Sequence, residues 1–362
     1  MRRILVDVHL WLGLTLGAIG ILIGASGSLL VYDRALDAVI APARHAVSGA
    51  AVALPLAVYA RNAEQAVGEG ARTLNLRLPG AAGGPLVATV RAREAGAFAR
   101  VFLDPPSGRL LGTAASGGFV GWIHRFHENL LLREHGGRAA VGLVGVAMLA
   151  SALSGLYLWW PARGGLRAAL GVRAGLLPSR NLHYLFGFYG CLLLAVLSFS
   201  GVWLAFPDAA RAVAGSIAPL EPAPREIRSS AAATGAAVSP DDALAAARAL
   251  YPRARPAFLG FPAGARGVYR IGLDADDGPV QLYLDPANGA VVRRSEPSSR
   301  SAGDRALMLV RELHAGELLG APGRALFLAG GLLPGLLAVT GTMMWLRKRA
   351  LARRAAGGAR PR

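Results

Sequence analysis

An apolar segment long enough to cross a membrane, and opened by a histidine, occurs twice in this chain. His9-Leu10-Trp11-Leu12-Gly13 begins a run that reaches Ser26-Gly27, and His183-Tyr184-Leu185-Phe186-Gly187 begins one that reaches Ser200-Gly201. In both copies the histidine precedes the first glycine by four residues and the glycine of the Ser-Gly pair by eighteen. Internal repetition decides an architecture before local propensity does, so the two halves are read against each other throughout.

Four apolar runs, at 10–31, 140–160, 184–206 and 325–346, meet the ~20 residues needed to span a hydrocarbon core. Hydrophobic residues make up 53% of the chain and charged residues only 17%, a balance that points to an integral membrane protein with some water-exposed mass. A net charge of +17 would point to nucleic acid in a soluble chain, but its distribution excludes that partner. Arg2-Arg3, then Arg163, Arg167, Arg173 and Arg180, then Arg347-Lys348-Arg349 with Arg353 and Arg354, fall at alternate ends of the spans. By the positive-inside rule both termini and the 161–182 loop are expected on the cytoplasmic side. Asp7 and His9 interrupt the first run, whose length of some 22 apolar residues reads as a retained span and not a cleaved signal. The single cysteine, Cys191, lies within the third run and reads as a small packing residue.

The water-exposed segments repeat as well. In 32–122, Leu56–Val67 reads as a short amphipathic helix. Strand-like alternation follows at 73–78, 86–90 and 99–103, ending in Asp104-Pro105-Pro106-Ser107-Gly108. In 207–308, a Pro/Ala/Ser-rich linker at 219–238 leads to Ser239-Pro240-Asp241-Asp242, a helix start with an N-cap serine and an early proline. That helix should reach about Leu250, with strand-like runs at 268–273 and 280–284 ending in Asp285-Pro286-Ala287-Asn288-Gly289. The remaining spans correspond too. Arg125-Phe126-His127-Glu128-Asn129 leads through Arg138 to Ser154-Gly155 and Trp159, and Glu312-Leu313-His314-Ala315-Gly316 leads through Arg324 to Thr340-Gly341 and Trp345. The expected fold is a membrane α-helical bundle of four spans, built as a tandem parallel repeat with its pseudo-two-fold axis along the membrane normal, and carrying two small α+β external domains.

This symmetry groups four histidines into two pairs. His9 and His183 are equivalent near the cytoplasmic ends of spans one and three, and His127 and His314 are equivalent on the external approaches to spans two and four. Helices related by an axial two-fold present matching side chains to each other, and a planar ligand on the axis meets one imidazole on each face, as haem iron does. Interfacial anchoring is the bland alternative for any one histidine, and zinc or copper the rival ligand, although two imidazoles leave Zn²⁺ short of its usual four donors. His124 lies three residues before His127 and is an alternative ligand, but it aligns with Arg311, whereas His127 aligns with His314. His45 and His135 lack repeat partners and read as solvated. Arg125, Arg138, Arg180 and Arg324 are candidates to pair with haem propionates. Gly13, Gly17, Gly20, Gly24 and Gly27, with Gly142, Gly145 and Gly155, recur at spacings that allow close helix approach or leave room for a flat macrocycle.

His9-Leu-Trp-Leu-Gly-Leu, Phe-His127-Glu-Asn-Leu-Leu-Leu, Asn-Leu-His183-x-x-x-Gly and Leu-His314-Ala-Gly-Glu-Leu-Leu-Gly together resemble the PepSY-associated transmembrane family, and the modules ending in Asp-Pro-x-x-Gly are similar to its periplasmic PepSY domains. The resemblance covers nearly the whole chain. Phe126 stands before His127 where leucine is commoner, and Tyr184 follows His183 where a basic residue is expected. The family includes inner-membrane ferric-siderophore reductases that hold two b-type haems. The resemblance therefore implies His9, His183, His127 and His314 as the axial ligands. It also implies the layout 1–31 first span, 32–122 first PepSY-like domain, 123–160 approach and second span, 161–182 cytoplasmic loop, 183–206 third span, 207–308 second PepSY-like domain, 309–346 approach and fourth span, and 347–362 basic tail.

Two functional classes follow. One is a membrane ferric-chelate reductase, taking electrons from the quinone pool or a cytoplasmic reductase and passing them to a ferric siderophore or other chelate outside. The other is a non-redox envelope protein whose external modules bind or regulate a peptidase or another partner. A transporter is a third class, but no pair of broken helices surrounds a midplane charge. No G-x-G-x-x-G fingerprint follows a strand, so an internal nicotinamide or flavin module is not expected.

Overall fold

In the computed structural model, residues 2–93, 97–160, 177–221, 227–229 and 238–358 are described. Arg163, Arg167 and Arg173 of the expected cytoplasmic loop, and most of the 219–238 linker, lie outside these. The chain divides into two compact units, Met1–Asp33 with Ile123–Ser216 and Ala306–Arg362, and Arg34–Trp122 with Ile217–Arg305.

Among its described residues the first unit has four helices long and apolar enough to cross a membrane: α1 (Arg2–Leu30), α5 (Gly137–Trp159), α6 (Pro178–Ala205) and α10 (Gly320–Gly358). Each begins before its apolar run, so His9 and His183 sit within helical turns instead of at frayed ends. Helix α1 packs on α5 and α10, and α6 packs on the same two, which puts α1 and α6 at opposite corners of the bundle. Small residues set the closest approach. A Cβ on Gly24 would stand 2.2 Å from the Gly331 carbonyl oxygen, and the Ser28 hydroxyl donates to the Leu328 carbonyl at 2.8 Å. In an apolar solvent such contacts replace the hydrophobic drive that packs soluble helices.

The second unit begins with α2 (Asp33–Ile40) and a 3-10 turn at Pro42–His45, then α3 (Leu56–Val67) and strands β1 (Arg72–Arg77), β2 (Leu86–Arg91), β3 (Phe98–Leu103) and β4 (Leu110–Ala115). Helix α4 (Gly118–Asn129) leads back to the bundle. After α6, α7 (Pro207–Ile217) and α8 (Pro240–Leu250) precede β5 (Arg255–Gly260), β6 (Tyr269–Ala275), β7 (Gly278–Leu284) and β8 (Val291–Ser295), and α9 (Ala302–Ala315) returns to the bundle. Helix α3 has the bounds the sequence gives it, and α8 starts on a capping box between Ser239 and Asp242.

The two αβ modules are not separate bodies. Their strands form one antiparallel sheet in the order β4-β3-β2-β1-β5-β6-β7-β8, joined where Asn75, Leu76 and Arg77 pair with Gly260, Leu259 and Phe258. Helices α3 and α8 touch each other and share one core, in which Tyr59, Leu76, Leu86, Leu103, Leu259, Ile271, Leu282 and Leu284 are fully buried. The Asp241 carboxylate at the start of α8 accepts the Leu56 N–H at the start of α3, at 2.9 and 3.0 Å, so one module caps an orphan helix donor of the other. The two Asp-Pro-x-x-Gly turns act as clamps. Asp104 accepts from the backbone and hydroxyl of Ser48 at 2.7 Å each, and Asp285 accepts from the Ser229 hydroxyl at 2.9 Å and the Ala287 N–H at 2.9 Å. Hydrogen bonds from Ser107 and Ser48 hold the Asp104 carboxyl down to about 2.

Because Leu282 sits in this shared core, Leu282→Ala should cost about 2–5 kcal/mol. Hydrogen exchange should quicken in β1–β3 as well as β5–β8; faster exchange in the second module alone would contradict the single core.

Candidate cofactor site

Each of the four paired histidines is held by the helix next to its own, in one repeated pattern. His9 on α1 places Nδ1 3.1 Å from the Ser151 carbonyl and 3.1 Å from Ser154 Oγ on α5. His127 on α4 places Nδ1 2.9 Å from the Ile23 carbonyl and 3.2 Å from Ser26 Oγ on α1. His183 on α6 meets Thr340 Oγ1 at 3.0 Å with the Leu337 carbonyl beside it on α10, and His314 on α9 meets Ser200 Oγ at 2.9 Å with the Leu197 carbonyl beside it on α6. A carbonyl and the hydroxyl three residues later thus converge on every Nδ1.

This pattern fixes the tautomer. The Ser26, Ser154, Ser200 and Thr340 hydroxyls donate their own protons to backbone carbonyls of the preceding turn, at 2.9, 3.1, 2.6 and 2.7 Å. Both groups facing each Nδ1 are then acceptors, so Nδ1 carries the hydrogen and Nε2 keeps its lone pair. A ring oriented through one nitrogen and free to donate through the other is the usual state of a metal-bound histidine. For the two histidines outside the spans, burial pushes His127 below the ordinary imidazole value, while burial and the nearby His127 push His314 down to about 4. Both rings are neutral, as ligation requires.

The residue after each hydroxyl is glycine, and the ring lies over it. A Cβ at Gly27 would stand 2.7 Å from His127 Cε1, and at Gly155 3.0 Å from His9 Cε1. At Gly201 and Gly341 the corresponding distances to His314 and His183 Cε1 are each 3.3 Å. Sequence comparison gives the Ser/Thr-Gly pairs as fixed landmarks; their role as seats, hydroxyl for the proton and glycine for the ring, emerges only when the helices are assembled.

His9 stands near His183, and His127 near His314. The His9 and His183 ring centroids are 6.3 Å apart at an interplanar angle of 84°, and those of His127 and His314 are 6.2 Å apart at 43°. Two imidazoles bridged by one metal ion at ~2.1 Å per bond, with each ring centre about 1.1 Å behind its donor nitrogen, have centroids on the order of 6.4 Å apart. Seventeen residues separate His9 from Ser26 on α1 and His183 from Ser200 on α6, so at 1.5 Å per residue the pairs lie roughly 25 Å apart along the bundle. Among the described residues no group of three or more His, Cys, Asp and Glu is placed to hold a metal ion. The pairs are therefore two-donor sets, which suit a metal already held by a macrocycle better than bare zinc.

Other sequence candidates lie elsewhere. His124 is exposed and pairs with Glu128 at 3.2 Å, one turn on, outside both histidine pairs. His135 is exposed. His45 is not solvated as expected: its Nε2 lies 3.0 Å from Asp37, which also holds Arg44, and its ring packs 5.8 Å from Phe102. Arg138 donates to the Leu204 carbonyl, Arg180 to the Tyr184 hydroxyl, and Arg324 lies over the Tyr32 ring. Cys191 is half-buried and free of any disulfide.

Four apolar helices among the described residues, with His9 and His183 paired on α1 and α6 and His127 and His314 paired on α4 and α9, define a membrane protein. The chain belongs to the family described as the PepSY-associated TM region, whose model matches residues 6–348. No curated protein matches it.

The Gly27 seat gives a direct test of the packing. Gly27→Val should displace the His127 ring and cost about 1–3 kcal/mol by overpacking, read as thermal stability in detergent. An unchanged stability would show that the ring does not rest on this glycine.

Proposed function

We propose that this chain is a di-haem b electron-transfer protein of the bacterial inner membrane, built as a tandem parallel repeat with both termini cytoplasmic. In this reading it reduces a ferric siderophore or another ferric chelate on the periplasmic side. The observation that carries it is the pair spacing, 6.3 and 6.2 Å between ring centroids, with every Nδ1 committed to a neighbouring helix. His9 with His183 would hold one haem and His127 with His314 the other. Haem held by these histidines would supply one-electron transfer.

The chain's own residues do the rest. The carbonyl and hydroxyl pairs orient the imidazoles, the seat glycines let them close on the axis, and the apolar helices keep water from the sites. Two sites roughly 25 Å apart divide a hydrocarbon core ~30 Å thick into shorter crossings. Quinol or a cytoplasmic reductase is the donor class at the His9/His183 end, and the ferric chelate the acceptor at the other.

Purified, haem-supplemented protein should show a Soret band, a b-type reduced-minus-oxidised spectrum and two haems per chain. His9→Ala or His183→Ala should remove one, and His127→Ala or His314→Ala the other, while His124→Ala keeps both. Wild-type protein without haem would leave a duplicated membrane anchor carrying an external α+β unit.

A further inference from the structure

A buried polar atom without a partner is rare in a folded chain, because its desolvation goes uncompensated. Among the described residues three side-chain atoms are in this state: Asn129 Oδ1, Ser179 Oγ and Trp203 Nε1. All three are within four residues, along the chain, of a paired histidine or of a serine that holds one. Ser179 is four residues before His183 on α6, one turn away on the same face. Trp203 is three residues beyond Ser200, which holds His314. Asn129 is two residues beyond His127.

The repeat itself does not require them. Aligned on the histidines, Leu5 stands opposite Ser179, Leu29 opposite Trp203 and Gly316 opposite Asn129. Apolar or side-chain-free residues therefore satisfy the fold at the equivalent places, and the polar groups need another reason. Their direction along α6 supplies one. Ser179 precedes His183 toward the helix start by about 6 Å, and Trp203 follows Ser200 toward the helix end by about 4.5 Å. Each lies on the side of its histidine site facing away from the middle of the bundle.

We infer that Trp203 and Ser179 are positioning residues that hydrogen-bond the carboxylate edges of the two bound haems, turning each acidic edge toward the nearer membrane surface. This rests on the di-haem reading above. The Trp203 indole can only donate, and a carboxylate accepts such a bond with unusual strength. The Ser179 hydroxyl donates in the same way at the other site. An acid group directed at the bilayer centre would be left without water or partner, so the direction is chemically consistent.

The test uses full-length, haem-loaded protein in detergent, with haem content and potentiometric titration as readouts. The component removed by His127→Ala identifies the outer haem, and that removed by His9→Ala the inner. Trp203→Phe removes the N–H and keeps an aromatic ring. Its outer haem should titrate at a more negative potential, because a less neutralised carboxylate favours ferric iron, while the inner stays unchanged. Ser179→Ala should shift only the inner component, and Ser179→Thr, which retains the hydroxyl, should restore it. Unchanged potentials in Trp203→Phe and Ser179→Ala, at full haem content, overturn the assignment and leave the di-haem reading standing. Wild-type protein that binds no haem overturns both. Should Trp203→Phe fail to fold, the Ser179 pair decides alone.

Discussion

The structure depends on a hydrogen bond made four times: an imidazole Nδ1–H donated to a carbonyl and a hydroxyl on an adjacent helix. Each bond costs the bundle a small residue, because the ring must lie against the backbone where Ser or Thr is followed by Gly. In return it locks the ring's rotation and tautomer before any ligand arrives. It also joins helices: α5 to α1, α10 to α6, α1 to the α4 approach and α6 to the α9 approach. The same contacts that hold the bundle closed leave each Nε2 with its lone pair.

The bundle geometry follows from that arrangement. Helices α1 and α6, at opposite corners, contribute His9 and His183, while the shorter α4 and α9 contribute His127 and His314. Gly24 against Gly331 sets how near α1 and α10 approach. In the second unit the halves combine differently, by edge-to-edge strand pairing at β1 and β5 and by a shared face under α3 and α8. The two halves of the chain thus meet through paired side chains in one unit and as a continuous sheet in the other.

Much of this was legible in the sequence, because the strongest signals were long or repeated. Four apolar runs, the matched spacings around His9 and His183, and the Ser239 cap each rest on local chemistry that tertiary contacts do not override. Three strands were missed for identifiable reasons. Strand β4 is Leu-Leu-Gly-Thr-Ala-Ala, an exposed edge without clean alternation, β5 carries Pro256, and β8 holds two arginines at the other edge. The β1–β5 junction joins segments some 180 residues apart with no turn signal between them, so periodicity alone does not reveal it. His45 read as solvated because its partner, Asp37, belongs to a helix whose fold-back onto the 3-10 turn is a tertiary event. The Ser/Thr-Gly pairs were visible as landmarks, but their function requires knowing which helix lies alongside.

In the proposed di-haem reading, two Nε2 atoms, one from each half, would face a single metal at each site. Low-temperature electron paramagnetic resonance of the oxidised, haem-loaded protein tests it most directly. The account predicts two low-spin ferric species, each with two nitrogen axial ligands. A high-spin signal, or a species with a sulfur axial ligand, would contradict it.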